Sequence, residues 1–168
     1  MTLHMRFPAL AFAVLLVTGC GGEIPRSPWP AHIASMEGMS EEEQAEVRKA
    51  VDELNALAET TVVTFEPSAA NYGIVVKKND PSQDVENRAG FALVSPQNCN
   101  IDLSSVIFNS DKTEYIRPVI FHELGHCAGM NHSEDESDIM FKATVPNSSY
   151  TEEAISKFTK AFRAAAGL

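Results

Sequence analysis

His122-Glu123-Leu124-Gly125-His126-Cys127-Ala128-Gly129-Met130-Asn131-His132 puts three imidazoles, one carboxylate and a helix-breaking glycine into a single short run. Residues four apart share a helical face, so His122 and His126 on a helix can address one metal ion. Glu123 follows the first of them but is rotated off that face. It can reach a water beside the metal without coordinating the ion, which is the position of a general base. A helix that ran on to His132 would carry it roughly 15 Å along the axis from His122, too far for one coordination sphere. The chain must leave the helix first. Gly129 allows this, because glycine enters the left-handed conformation at a helix end without steric penalty. Three neutral imidazoles leave a coordination position open, as catalysis requires, whereas a closed structural site wants a fourth protein ligand.

A helical pair of histidines can be ordinary surface, and HExxH alone is only suggestive; Gly129 and His132 at these offsets make the signal specific. The run resembles the HExxHxxGxxH signature of the metzincin metallopeptidases. Their second hallmark, a methionine turn, is matched by Ser137-Asp138-Ile139-Met140, with Met140 eight residues after His132. That spacing and the run Ile139-Met140-Phe141 are most similar to the matrixin branch. Lys142 stands where astacin-like and serralysin-like members carry a tyrosine, so no tyrosine ligand is expected, and no cysteine-bearing pro-segment of the animal matrixin kind is visible. The resemblance is specific over about residues 119–141.

The resemblance implies an α+β, zincin-like domain: a mixed twisted sheet of about four to five strands, about three helices, and an active-site helix carrying HExxH. It implies one zinc ion held by His122, His126 and His132, Met140 as an apolar floor beneath them, and Glu123 as the base that activates water against a peptide bond. The expected function is that of a zinc-dependent endopeptidase acting on peptide or protein substrates. Two rivals stay open. In a gluzincin-type site, Glu152 or Glu153 would replace His132 as a ligand. The alternative from another class is a non-catalytic zinc-binding envelope lipoprotein that retains the fold.

The amino terminus carries a separate signal. Arg6 precedes an apolar run from Phe7 to Val17, broken only by Pro8, and then Val17-Thr18-Gly19-Cys20. That run is too short to span a bilayer and has the form of a secretory signal. The small residues before Cys20 resemble a bacterial lipobox, which implies cleavage of residues 1–19, lipidation of Cys20 and an extracytoplasmic, membrane-anchored protein of the bacterial cell envelope. An ordinary signal peptide or a short anchor is the alternative. Residues 20–39, with Pro25, Pro28 and Pro30, read as a tether, although Trp29 can also tuck into the domain. Residues 40–168 then form one catalytic domain.

Arg6 is the only charged residue among the first 19, so the remainder carries 12 basic against 23 acidic side chains. Such acidity argues against nucleic acid and against a basic lipid-binding patch; a monomer is expected. With Cys20 assigned to lipid, Cys99 and Cys127 either pair in an oxidising compartment or remain two buried thiols. Direct metal ligation by Cys127 is disfavoured, since it lies one residue past His126 and off the ligand face. Glu134, Asp135, Glu136 and Asp138 raise calcium binding, but their spacing fits no EF-hand, which favours a solvated loop.

In the body of the chain, Ser40 and Glu43 form a capping box before an apolar stripe of Val47, Ala50, Val51, Leu54 and Leu57, in a helix expected to end near Thr60. Thr61–Phe65, Tyr72–Lys78, Gly90–Val94 and Asn100–Phe108 read as strands. By the resemblance, residues 90–95 form an antiparallel edge strand that can pair with an extended peptide. Asp111 or Thr113 is expected to cap the active-site helix, which is regular from about 115–118 to Ala128 because Pro118 is tolerated only near its start. Thr151 opens a last helix with Ile155, Phe158 and Phe162 inward. Residues from about Phe141 to Tyr150 would shape the S1′ pocket.

Overall fold

The computed structural model describes residues 29–66, 72–84, 88–143 and 150–168. The expected signal segment, Cys20 and residues 144–149 of the expected S1′ wall lie outside the described residues. Elements follow the order β1 (Ala31–Glu37), α1 (Glu41–Leu57), β2 (Val63–Thr64), β3 (Gly73–Lys78), β4 (Gly90–Val94), β5 (Asn98–Leu103), α2 (Ile116–Cys127) and α3 (Glu152–Ala166). The five strands form one mixed sheet in the order β2-β1-β3-β5-β4. β1, β2, β3 and β5 run parallel, and β4 closes one edge antiparallel to β5. Among the described residues this is an α+β, zincin-like arrangement of five strands and three α-helices.

Each helix has a local reason to start. The Ser40 hydroxyl accepts from the Glu43 amide at 3.3 Å and the Glu43 carboxylate accepts from the Ser40 amide at 2.8 Å, closing the capping box of α1. Val47, Ala50, Val51 and Leu54 then bury one face. At its far end, Asn55 binds the Val63 carbonyl and the Val62 and Val63 amides at 2.8–3.0 Å, which holds β2 beside the helix. The Thr151 hydroxyl accepts from the Ala154 amide at 3.1 Å and caps α3, whose Phe158 and Phe162 are buried. Burying each such ring stabilises the fold by about 1.5–3 kcal/mol before entropy is counted.

Five expectations are corrected. Residues 31–37 are not part of a tether: they form β1, inside the sheet between β2 and β3, with Ala31 and Ile33 buried. Trp29 packs edge-on to Phe162 with ring centroids 5.3 Å apart, and also meets Tyr72. The segment hides its strand character because a bulge between Ile33 and Ser35 breaks the two-residue alternation. The last expected strand stops at Leu103, since the Ser104 hydroxyl accepts from the Val106 amide and Ser105 binds the Asp84 carboxylate, turning Ser105–Phe108 into a 3-10 helix. The first helix ends at Leu57 and only Val63–Thr64 of the next segment is strand. Neither Asp111 nor Thr113 caps α2, because a 3-10 turn over Thr113–Tyr115 runs straight into it and leaves Tyr115 at the cap without a side-chain bond.

α2 packs against α1, α3 and the β4 edge of the sheet. Val119, Ile120, Phe121 and Leu124 are buried, and Phe121 stacks on Phe158 of α3 with centroids 5.7 Å apart. A disulfide joins Cys99 of β5 to Cys127 at the end of α2, across 28 residues. Among the described residues, no helix is long and apolar enough to cross a membrane.

Candidate metal centre

The geometry of the centre begins with how α2 stops. Gly129 adopts φ 89°, its amide donates to the His126 carbonyl, and the Met130 amide donates to the Gly125 carbonyl, both at 2.9 Å. These two bonds form a Schellman termination, which needs a left-handed residue and so favours glycine. The chain leaves the helix there and doubles back, carrying His132 to the helical pair. The His126 and His122 Nε2 atoms lie 3.1 Å apart, and the His126 and His132 Nε2 atoms 3.2 Å apart. One ligand atom from each of the three residues fits within a 4.8 Å cluster. Glu152 and Glu153 do not join it; they occupy the first turn of α3.

Backbone carbonyls orient two of the rings. His122 Nδ1 donates to the Ile139 carbonyl at 2.7 Å, and His126 Nδ1 donates to the Met130 carbonyl at 2.9 Å. With both Nδ1 protons used in this way, the Nε2 lone pairs point at each other across the cluster. Two facing lone pairs repel, and a shared cation removes the repulsion. The donor set therefore fits a metal ion on the chemistry of its own atoms. Burial holds the His122 pKa down at about 4 against the Ile139 carbonyl, with the neighbouring histidines adding to the depression. Burial also lowers His126. Both rings are thus neutral and able to coordinate near pH 7.

Glu123 is almost fully buried beside this cluster. Loss of hydration raises its pKa to about 8, while the Arg88 charge and the Ala92 backbone pull the other way. Its carboxylate packs against the start of β4 so closely that a Cβ on Gly90 would come 2.7 Å from Oε1. The edge strand approaches the carboxylate only because residue 90 has no side chain. Gly125 plays the same part below: a Cβ there would meet Met140 Sδ at 2.5 Å. Met140 is buried beneath α2, and its thioether rests where the helix presents bare backbone.

The Met turn does more than supply that floor. The Asp138 carboxylate accepts from the Met140 amide at 2.9 Å, and the Met140 carbonyl accepts from the Ser133 amide at 2.8 Å, one residue past His132. The roles of Gly90, Gly125, Asp138 and the Ile139 carbonyl were not evident in the sequence. A glycine inside a helical HExxH run was the one available signal, since glycine there costs about 1 kcal/mol relative to alanine unless something packs against it. Of the acidic residues considered for calcium, Asp135 and Asp138 are paired with Lys157 at 3.3 and 3.0 Å. Lys142 follows Phe141 in an exposed position. On β4, Phe91 and Leu93 are exposed at the sheet edge.

The chain matches no curated protein sequence. The family model described as Matrixin matches residues 104–157, which run from the end of β5 through α2 and the Met turn into α3. The match takes in every residue of the histidine cluster and leaves out α1 and all five strands, β1 to β5. Together, that match and the converging histidines support a matrixin-like metallopeptidase.

Proposed function

We propose that the protein is a zinc-dependent endopeptidase whose metal is held by His122, His126 and His132. The observation that carries this reading is the convergence of three Nε2 atoms beside a buried carboxylate that is not one of them. A tetrahedral ion with bonds of about 2.0–2.1 Å sets its donor atoms roughly 3.3 Å apart, close to the observed 3.1 and 3.2 Å. The all-nitrogen donor set suits zinc and excludes a calcium site, which wants oxygen. Zinc held there would supply Lewis acidity toward a carbonyl and toward water.

The residues of this chain do the remaining work. Glu123 accepts a proton from the attacking water and passes it to the leaving amine. Its raised pKa suits both halves of that transfer near neutrality, and a nearby cation shifts it back toward the ionised form. β4 offers an edge to which an extended peptide can add as a further strand. Lys142, in place of a tyrosine, offers no phenol to an oxyanion, whose stabilisation would rest on backbone donors and on a bound metal.

The test is cleavage of casein or a peptide library by metal-verified protein, with and without chelator. Glu123→Ala should retain zinc and lose on the order of 10²–10⁴-fold in activity. Cleavage that survives this substitution at full zinc occupancy would refute the mechanism; zinc binding without cleavage in the unaltered protein would favour the non-catalytic alternative. The sequence Gly19-Cys20 further supports a lipid-anchored, extracytoplasmic location. Cys20→Ala should then move the protein out of the membrane fraction.

A further inference from the structure

α3 stands apart from the histidine cluster, yet one of its side chains grips the loop that orients it. Lys157 Nζ lies 3.0 Å from Asp138 Oδ2 and 3.3 Å from Asp135 Oδ2. Asp138 is the better buried partner, its side chain 11% exposed against 53% for Asp135. The other Asp138 oxygen, Oδ1, accepts from the Met140 amide at 2.9 Å. Between these two residues is Ile139, whose carbonyl accepts the His122 Nδ1 proton at 2.7 Å. The Asp138 amide donates to the Asp135 carbonyl at 3.0 Å, so Lys157 spans both ends of one turn.

We propose that Lys157 is a positioning residue for the metal centre: through Asp138 it fixes the turn whose Ile139 carbonyl sets the tautomer and direction of the His122 ring. This rests on the reading of the three histidines as a metal site. An exposed ion pair between helix and loop adds little to global stability. Here the lysine holds a carboxylate that is nearly out of water and is itself bonded to the turn. Without Lys157, the Asp138 oxygen turns to solvent, and the carbonyl one residue later loses its fixed aim. A metal ligand feels that change, because partners that orient ligands control affinity even though they do not touch the ion. The same contact explains two of the acidic side chains in the 134–138 loop as the counter-charge for α3.

The experiment compares unaltered protein with Lys157→Met, Lys157→Arg and Asp138→Asn, using zinc competition against a chromophoric chelator and the visible spectrum of the cobalt-substituted forms. Lys157→Met should weaken zinc roughly fivefold and Asp138→Asn on the order of tenfold, at or just below the range for groups that orient ligands directly. The cobalt bands should shift in both, while thermal unfolding of the metal-free protein stays close to that of the unaltered chain. Lys157→Arg should restore affinity to within about twofold, since it keeps the charge and the reach. Because both partners act through one contact, the Lys157→Met/Asp138→Asn double variant should lose no more than Asp138→Asn alone. The proposal is overturned if Lys157→Met binds zinc as tightly as the unaltered protein with an unchanged cobalt spectrum, or if its loss adds fully to that of Asp138→Asn. If the unaltered protein binds no zinc, the metal-site reading itself falls.

Discussion

The histidine cluster is supported in two different ways, and the contrast explains how the site is built. His122 and His126 project from α2, a helix packed on the sheet and on α3 and tied to β5 through Cys127. His132 comes from the loop over residues 129–141, which has no regular structure and is held by single hydrogen bonds: Ser133 to Met140, Met140 to Asp138, and Lys157 to Asp138. The helix side is fixed by apolar burial along its length, while the loop side has such burial only at its Ile139–Met140 end and relies on polar contacts elsewhere. The two sides meet at His122, whose ring is on the helix and whose Nδ1 partner is on the loop. They meet again where Met140 lies under Gly125.

The harshest test of the helix side removes its covalent anchor. Cys99→Ser/Cys127→Ser opens a link across 28 residues and should lower stability by about 3–4 kcal/mol on the chain-entropy account, read from denaturant unfolding. The loop should keep its hydrogen bonds, so metal affinity should fall less than stability does. Removing a ligand attacks both sides directly. His122→Ala and His132→Ala should each weaken zinc by more than about a hundredfold, beyond what outer groups control. The two should diverge in the metal-free melt: His122→Ala leaves a buried gap and lowers the unfolding temperature, whereas exposed His132→Ala leaves it nearly unchanged. Equal melts would erase the proposed distinction between helix and loop.

Gly125→Ala tests the seam. Its new methyl group must push the Met140 sulfur away, at a cost of about 1–3 kcal/mol, and both stability and zinc affinity should drop. The remaining test is in pH. Burial depresses His122 to about 4, so its contribution to metal-free stability is present above the unfolded histidine value and is lost as pH falls from about 6.5 toward 4. Glu123 is raised to about 8, so its contribution is present below about 4.5 and is lost as pH rises through 8. In chelator, Glu123→Gln should therefore gain on the unaltered protein in melting temperature between pH 5 and pH 8. A constant gap across that range would show that the carboxylate is not desolvated as the structure has it.

Much of the site was legible because it depends on local spacing. The four-residue period that aligns His122 with His126, and a glycine that can end the helix before His132, follow from backbone geometry alone. The α1 capping box and the Thr151 cap were legible for the same reason. β1 was not, because His32, Ser35 and Glu37 disguise a strand whose burial depends on neighbours from β2 and β3. The cap of α2 was missed because the 3-10 turn before it took over the job a side chain would have done.

By itself, the sequence determined which side chains can hold a metal, where the helix carrying two of them must end, and why the carboxylate beside them is turned off the ligand face. Those are statements about residues close in the chain, where covalent geometry leaves few choices. The tertiary structure decided what aims and presses on these groups. The Ile139 carbonyl on His122, Met140 under Gly125, β4 against Glu123 and Lys157 on Asp138 are mostly contacts between separate elements. They exist only once burial has brought those elements together, since no local pattern specifies which distant atom fills a gap left by a missing side chain.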